Sequence, residues 1–176
     1  IPSLLRGFSA PARLELDLSD ADLLRLFSAD SDSFNRWQAL QSVATRALVA
    51  AGRQDADRAA LDGRTSEIAA ALDGFLADRA LADPAFAAQV LRLPPPADIA
   101  REIGRNVDPD AIHAAHRALS TGLGQALLPR LLSLRDALAQ TGAYAPDANS
   151  AGRRALRNEA LGLLALADPE RATRLC

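Results

Sequence analysis

Three Asp-Pro pairs constrain the fold of this 176-residue chain more than any other feature, because each one marks the start of a helix. The pairs are Asp83-Pro84, Asp108-Pro109 and Asp168-Pro169. An aspartate at the N-cap accepts hydrogen bonds from free N–H groups of the first helical turn, and proline fits the first helical position because no N–H is needed there. After Asp17 the apolar residues recur at helical spacing almost to the end of the chain. These patterns predict an all-α fold over most of the sequence.

The remaining capping residues predict the other helices. Ser19 is expected to cap a first helix that ends near Asp30, and Asp32 or Ser33 to cap a second helix that ends at Gly52. A loop is expected over 52–64, followed by a helix over 65–81 and a helix from 84 that ends before the prolines at 94–96. A short helix over 97–105 and a long helix over 109–141, with a kink or split at Pro129, come next. The last two expected helices run over 150–167 and from 169 onward. We predict an irregular right-handed helical stack, an α-α superhelix of the solenoid kind, with a compact bundle as the alternative.

The N-terminal segment differs from the rest. Leu14, Leu16 and Leu18 alternate with charged residues, which is the two-residue period of a half-buried strand. A single strand does not form a stable sheet, so its partners are expected in sequence outside this chain. With no methionine anywhere and a last helix of less than two turns, the chain is expected to be truncated at both ends.

The composition argues against several classes of function. The formal net charge is −2, and nucleic-acid modules usually carry a basic face. A helix-turn-helix regulator is disfavoured for the same reason, and by the N-terminal strand. No apolar run approaches the roughly 18–20 residues of a membrane span. Cys176 is the only cysteine, so no disulfide can form within the chain, which fits a cytoplasmic location.

His113 and His116 form the strongest candidate metal pair, with Asp108 and Asp110 just before them. Their i, i+3 spacing differs from the i, i+4 spacing of zinc peptidases, which also place a general-base glutamate between the histidines and a further ligand downstream. We therefore interpret both histidines as surface or capping residues.

Other candidate sites have plainer structural explanations. Arg153, Arg154 and Arg157 could bind an anion, but a solvated helix face with an Arg154–Glu159 pair is favoured. Trp37 is expected in the core beside Phe34 or Leu40. The aspartates at positions 20, 30 and 32 lack the glycine and terminal glutamate of a calcium loop, so capping is favoured. No nucleophile-elbow, P-loop or dinucleotide motif occurs, and we predict no catalytic, cofactor-binding or metal-ligating residue in this chain.

Several segments resemble the bacterial aminopeptidase N family, the alanyl aminopeptidases of the gluzincin zinc metallopeptidases. These segments, in order, are IPSLLRGFSAP from Ile1, FNRWQA from Phe34, DPAFAA from Asp83 with LRLP from Leu91, VDPDAI from Val107, and RALRN from Arg154 with LLA from Leu163. The matches span nearly the whole chain and keep the order of the family.

The resemblance implies a domain division and a function. Residues 1–18 would be the terminal strand and linker of a β-sandwich domain, and residues 19–176 the first part of a C-terminal helical domain. The chain would then be a non-catalytic fragment of a zinc-dependent aminopeptidase that removes N-terminal amino acids from peptides. It would help enclose the active-site cleft and restrict substrate entry. An independent helical protein-interaction scaffold is the alternative.

The expected cofactor and partners follow from the same resemblance. Zinc would belong to the parent enzyme and not to this chain, which alone is expected to be inactive. The partners would be the parent's catalytic and β-sandwich domains and, through the parent, peptide substrates, with no nucleic acid and no membrane. The isolated chain is expected to self-associate through surfaces that would otherwise contact those domains.

Overall fold

The computed structural model describes residues 17–53, 58–139 and 143–175, and within these ranges the chain forms nine α-helices and no strand. The helices are α1 (Asp20–Ala29), α2 (Ser33–Ala51), α3 (Arg58–Arg79), α4 (Pro84–Leu91), α5 (Pro96–Ile103), α6 (Pro109–Ala126), α7 (Leu128–Ala137), α8 (Ala148–Ala167) and α9 (Pro169–Leu175). The predicted all-α helical stack is confirmed. Leu14 and Leu16 of the predicted strand lie outside the described residues, and Leu18 has no regular secondary structure. None of the described helices is long and apolar enough to cross a membrane.

The three Asp-Pro pairs begin helices as predicted. Carboxylate oxygens of Asp83 and Asp168 accept hydrogen bonds from backbone N–H groups three residues on, each at 3.0 Å. The carboxylate of Asp108 accepts two such bonds, at 3.0 and 3.1 Å. Ser19 and Asp32 cap α1 and α2 in the same way. These caps depend only on neighbouring residues, which is why the sequence alone could place them.

Two predicted helices begin earlier than expected. The expected loop over 52–64 ends early, because α3 already begins at Arg58. Leu61 and Thr65 are buried, and with Ile68 they form an inward stripe at i, i+4 and i+7 that extends the helix backward. The helix expected from 150 begins at Ala148 instead, since the carboxylate of Asp147 accepts a hydrogen bond at 2.9 Å and serves as the N-cap.

The long helix expected over 109–141 is divided. It separates at Leu127 into α6 and α7, and Pro129 lies in the first turn of α7, where its missing N–H leaves no gap in the helical hydrogen bonds. The split predicted at this proline is thus confirmed. α7 ends at Ala137, short of the predicted end.

α8 is the centre of the second half of the molecule, because it packs against α4, α6, α7 and α9. Two glycines allow this close packing. A Cβ at Gly124 of α6 would lie 2.5 Å from the carbonyl oxygen of Leu163, and a Cβ at Gly152 of α8 would lie 3.0 Å from the backbone nitrogen of Ala85. Leu156, Ala160 and the other inward residues of α8 therefore share one continuous apolar core with α1–α7.

Candidate functional site

His113 and His116 do not converge on a metal site. His113 is exposed, whereas His116 is half-buried beside the backbone carbonyl of Pro94. Burial lowers the pKa of His116, the Pro94 carbonyl raises it, and the neighbouring His113 lowers it further. Asp108 uses its carboxylate to cap α6. Within residues 17–53, 58–139 and 143–175 no group of three or more His, Cys, Asp or Glu side chains could hold a metal ion.

The arginines of α8 are placed differently from the prediction. Arg153 donates a hydrogen bond to the carbonyl of Ala137 at 2.8 Å, and Arg154 donates one to the carbonyl of Ala145 at the same distance. The expected Arg154–Glu159 pair is wrong, because five residues along a helix turn through about 500°, which places the two side chains on different faces. Glu159 instead pairs with Arg92 at 2.6 Å, across the contact between α4 and α8.

Trp37 is less buried than expected, whereas its neighbour Arg36 is buried. Trp37 is half-buried, with its ring 5.9 Å from that of Phe34, so the predicted contact with Phe34 is confirmed but the predicted core position is wrong. Arg36 is only 6% exposed. Its Nε donates to the carbonyl of Phe27 at 2.6 Å, and its guanidinium lies 4.9 Å from the centre of the Phe75 ring. Burial lowers the pKa of Arg36 below its ordinary value, and nearby Arg79 lowers it further.

A cleft of about 380 Å³, which no pattern in the sequence indicated, lies among α1, α2 and α3. Its floor is apolar, with Leu61 and several alanines, and Asp20 bridges two guanidiniums at its rim. The Asp20 carboxylate lies 2.8 Å from Arg46 and 3.2 Å from Arg64. Arg64 also pairs with Glu67 at 2.7 Å, and that hydrogen bond raises the pKa of Arg64.

Both guanidiniums that line the cleft are paired with carboxylates, Arg46 with Asp20 and Arg64 with Asp20 and Glu67. Arg46 also donates to the carbonyl of Leu18 at 2.8 Å, which ties the chain just before α1 to α2. We interpret these ion pairs and this hydrogen bond as contacts that hold α1, and Leu18 just before it, against α2 and α3.

The predicted aspartate caps account for the other carboxylates considered at the sequence level. The Asp30 carboxylate accepts from the backbone N–H of Asp32 at 2.9 Å, and the Asp32 carboxylate accepts from that of Asn35 at 3.0 Å. Asp20, Asp30 and Asp32 are thus engaged in ion pairs and capping. Among the described residues, these three carboxylates therefore cap helix ends or pair with arginines of neighbouring helices.

The described helices form an all-helical domain, and the family match places it in the ARM-repeat class. The family model described as "Domain of unknown function (DUF3458_C) ARM repeats" matches residues 20–176, and the chain belongs to that family. Aminopeptidase N of Caulobacter vibrioides is 40% identical over 169 residues, which cover 95% of this chain and 18% of that protein. Aminopeptidase N of Escherichia coli K12 is 34% identical over 170 residues, 96% of this chain and 19% of that protein.

A solved structure shows the same fold. The crystal structure of Legionella pneumophila aminopeptidase A in complex with aspartic acid matches with a TM-score of 0.74 and 21% sequence identity, covering 97% of this chain and 20% of that one. The chain thus spans about a fifth of the length of the proteins it matches. Its curated homologues are aminopeptidases, and the chain corresponds to their C-terminal helical domain.

Proposed function

We propose that this chain is the non-catalytic helical part of a zinc-dependent aminopeptidase that removes N-terminal residues from peptides. The observation that carries the proposal is the 40% identity to an aminopeptidase N over 95% of the chain, which amounts to only 18% of that relative. Zinc and the water that it activates would be held by another part of the parent enzyme. None of the residues weighed above would be a catalytic group or a metal ligand.

We further propose that the helical domain helps enclose the active-site cleft and restricts entry to small peptides. The helices of the described residues share one apolar core, and a wall packed in this way would suit exclusion of folded proteins better than a loop would. The parent's catalytic and β-sandwich domains would be the direct partners, and the parent would be cytoplasmic. Peptide substrates would meet this domain only through the parent.

The proposed domain boundary lies between residues 18 and 19. The family match begins at residue 20, and the Arg46 bond to Leu18 holds the chain at this point. The start of the family match supports a boundary near this position, and residues 1–18 would be the terminal strand and linker of a preceding β-sandwich domain.

Two measurements test the catalytic assignment. The gene should encode an H-E-x-x-H motif upstream of Ile1 in the same reading frame. A start codon at or just before Ile1 would instead favour the independent scaffold. The purified 176-residue chain should show no turnover of alanyl substrates with or without added zinc, and zinc-dependent turnover by pure material would contradict the proposal.

The enclosure role needs the full-length parent. The test compares kcat/KM for an alanyl dipeptide with kcat/KM for a folded protein that carries an N-terminal alanine. Removal of the helical domain should raise the relative rate on the folded protein, with bound zinc as the control for an intact catalytic domain. A variant that retains zinc and shows an unchanged ratio would refute the enclosure role.

The isolated chain should also self-associate, because surfaces that would otherwise contact other domains are exposed to water. Exposed large apolar side chains include Leu81, Val107, Tyr144 and Leu166. Sedimentation velocity measures this directly, and a single monomeric species at high concentration would contradict the expectation.

A further inference from the structure

Arg153, Arg154 and Arg157 form one continuous surface on α8, which we call the arginine face. Positions i, i+1 and i+4 fall within about 100° on a helix, so the three side chains emerge together. All three are partly buried at the edge of α8. The bonds of Arg153 and Arg154 to the carbonyls of Ala137 and Ala145 fix two of the guanidiniums in place.

The arginine face has unused hydrogen-bonding capacity. A guanidinium carries five N–H donors, and Arg153 and Arg154 each direct a single bond to a main-chain carbonyl. No carboxylate among the described residues forms an ion pair with any of the three, since Glu159 is taken by Arg92. The Nε of Arg157 is buried and has no acceptor in the described part of the chain. Arg157 as a whole is only partly buried and forms no hydrogen bond within the described part of the chain, so its terminal N–H groups are open to an acceptor from outside.

The local charge and an adjacent aromatic ring indicate the chemistry of the partner. The arginine face is locally basic, because its three guanidiniums lack ion pairs among the described residues, although the whole chain has 20 basic and 22 acidic residues. Tyr144 is 75% exposed, and the Arg154 guanidinium lies 4.6 Å from the centre of its ring. Tyrosine and arginine are the residue types most enriched where proteins bind one another.

We propose that the arginine face and Tyr144 form a docking surface for an Asp- and Glu-rich polypeptide segment. Carboxylates of the segment accept paired hydrogen bonds from the guanidiniums, in the geometry that arginine favours. The terminal N–H groups of Arg157, which is only partly buried, bind one of these carboxylates, and the Tyr144 ring packs against the backbone of the segment. Nucleic acid is the less fitting anion, because the rest of the molecule is acidic and would repel an extended phosphate chain. The proposal is independent of whether the parent is a peptidase.

Arg157 is the informative position for a test, since removing it breaks no ion pair among the described residues. The experiment titrates the 176-residue protein into a fluorescein-labelled deca-glutamate peptide and follows anisotropy at 50 mM and 200 mM salt. We expect R157Q to weaken binding about tenfold and R157K less, because lysine keeps the charge but lacks the planar fork. The control is R25Q on α1, whose side chain is 75% exposed and lies 3.9 Å from Asp22, and which should change affinity less than about twofold.

A second variant, Y144S, keeps the proposal testable if R157Q fails to fold. Y144S alters a ring that is mostly exposed, so it should leave the melting temperature unchanged and still weaken binding about threefold. Three results would overturn the proposal: no binding of the peptide by folded protein at 50 mM salt, equal loss in R157Q and R25Q, or tighter binding of a 20-nucleotide single strand than of the peptide. The last result would identify the face as a nucleic-acid surface.

Discussion

The close approach of α6 and α8 predicts that one type of substitution has opposite effects at two glycines. At Gly124 a Cβ would lie 2.5 Å from the Leu163 carbonyl oxygen and 3.0 Å from the Cβ of Ala167. The first of these atoms belongs to the backbone of α8, so a side-chain rotation cannot relieve the clash. At Gly162, on the exposed side of α8, a Cβ would meet no atom of the described structure within 4 Å. Both glycines lie inside helices, where alanine has the higher intrinsic propensity.

The magnitudes follow from these distances. Overpacking costs about 1–3 kcal/mol in a tightly packed core, and replacing glycine by alanine in a helix recovers about 1 kcal/mol. Because the clash is with a backbone atom, the upper part of the overpacking range applies, and we expect G124A to lower the free energy of unfolding by about 1–2 kcal/mol, a fall in Tm of about 2–8 °C for a domain of this size. G162A should raise stability by about 0.5–1 kcal/mol, a rise of about 1–4 °C.

The assay is thermal unfolding followed by circular dichroism at 222 nm, with both variants and the wild-type protein at the same concentration. The matched pair separates packing from propensity, because the chemical change is identical. A Tm for G124A equal to or above that of the wild-type protein would refute the packing argument. A fall in Tm for G162A as large as that for G124A would show that glycine flexibility, and not the α6–α8 contact, decides the outcome.

Three further predictions concern single side chains. R36M keeps the bulk of the buried side chain but removes the donor to the Phe27 carbonyl, and urea unfolding should show a loss of about 1–3 kcal/mol; unchanged stability would mean that water replaces the donor. D83A removes the N-cap of α4 and should cost about 1 kcal/mol in the same assay, whereas D83N should cost clearly less; equal losses would count against capping. The pKa of His116 is lowered in the folded protein, so the unfolded chain binds a proton first as pH falls below about 6.5. The free energy of unfolding should therefore fall from pH 7 toward pH 5, and H116Q should make this fall smaller. The same pH dependence in H116Q and the wild-type protein would exclude His116 as its source.

The parts of the fold that depend on neighbouring residues could be predicted from the sequence. The Asp-Pro starts and the Ser19 and Asp32 caps are decided within one helical turn, and all were placed correctly. The first turns of α3 were missed because their stability is not local. Thr65 packs so closely on α6 that a Cβ at Gly122 would lie 2.7 Å from its methyl group, and nothing near Thr65 in the sequence signals that contact.

The charged side chains were harder to predict than the helices. Arg36 follows the same helical pattern as its neighbours, and only the positions of Phe27 and Phe75 on two other helices explain its burial. Glu159 found its partner 67 residues away, at Arg92, and not within its own helix. The Asp20 bridge to Arg46 and Arg64 likewise joins three helices. Ion pairs of this kind become visible only once the helices are placed relative to one another.

The central position of α8 has a consequence for how the protein is made. α4 and α8 pack together although the two helices are separated by more than fifty residues of intervening chain. A growing polypeptide that has reached α7 still lacks α8, the helix against which α4 packs most extensively. The contact between α4 and α8 can form only after α8 has left the ribosome, so a later part of this sequence completes a core that its first half began.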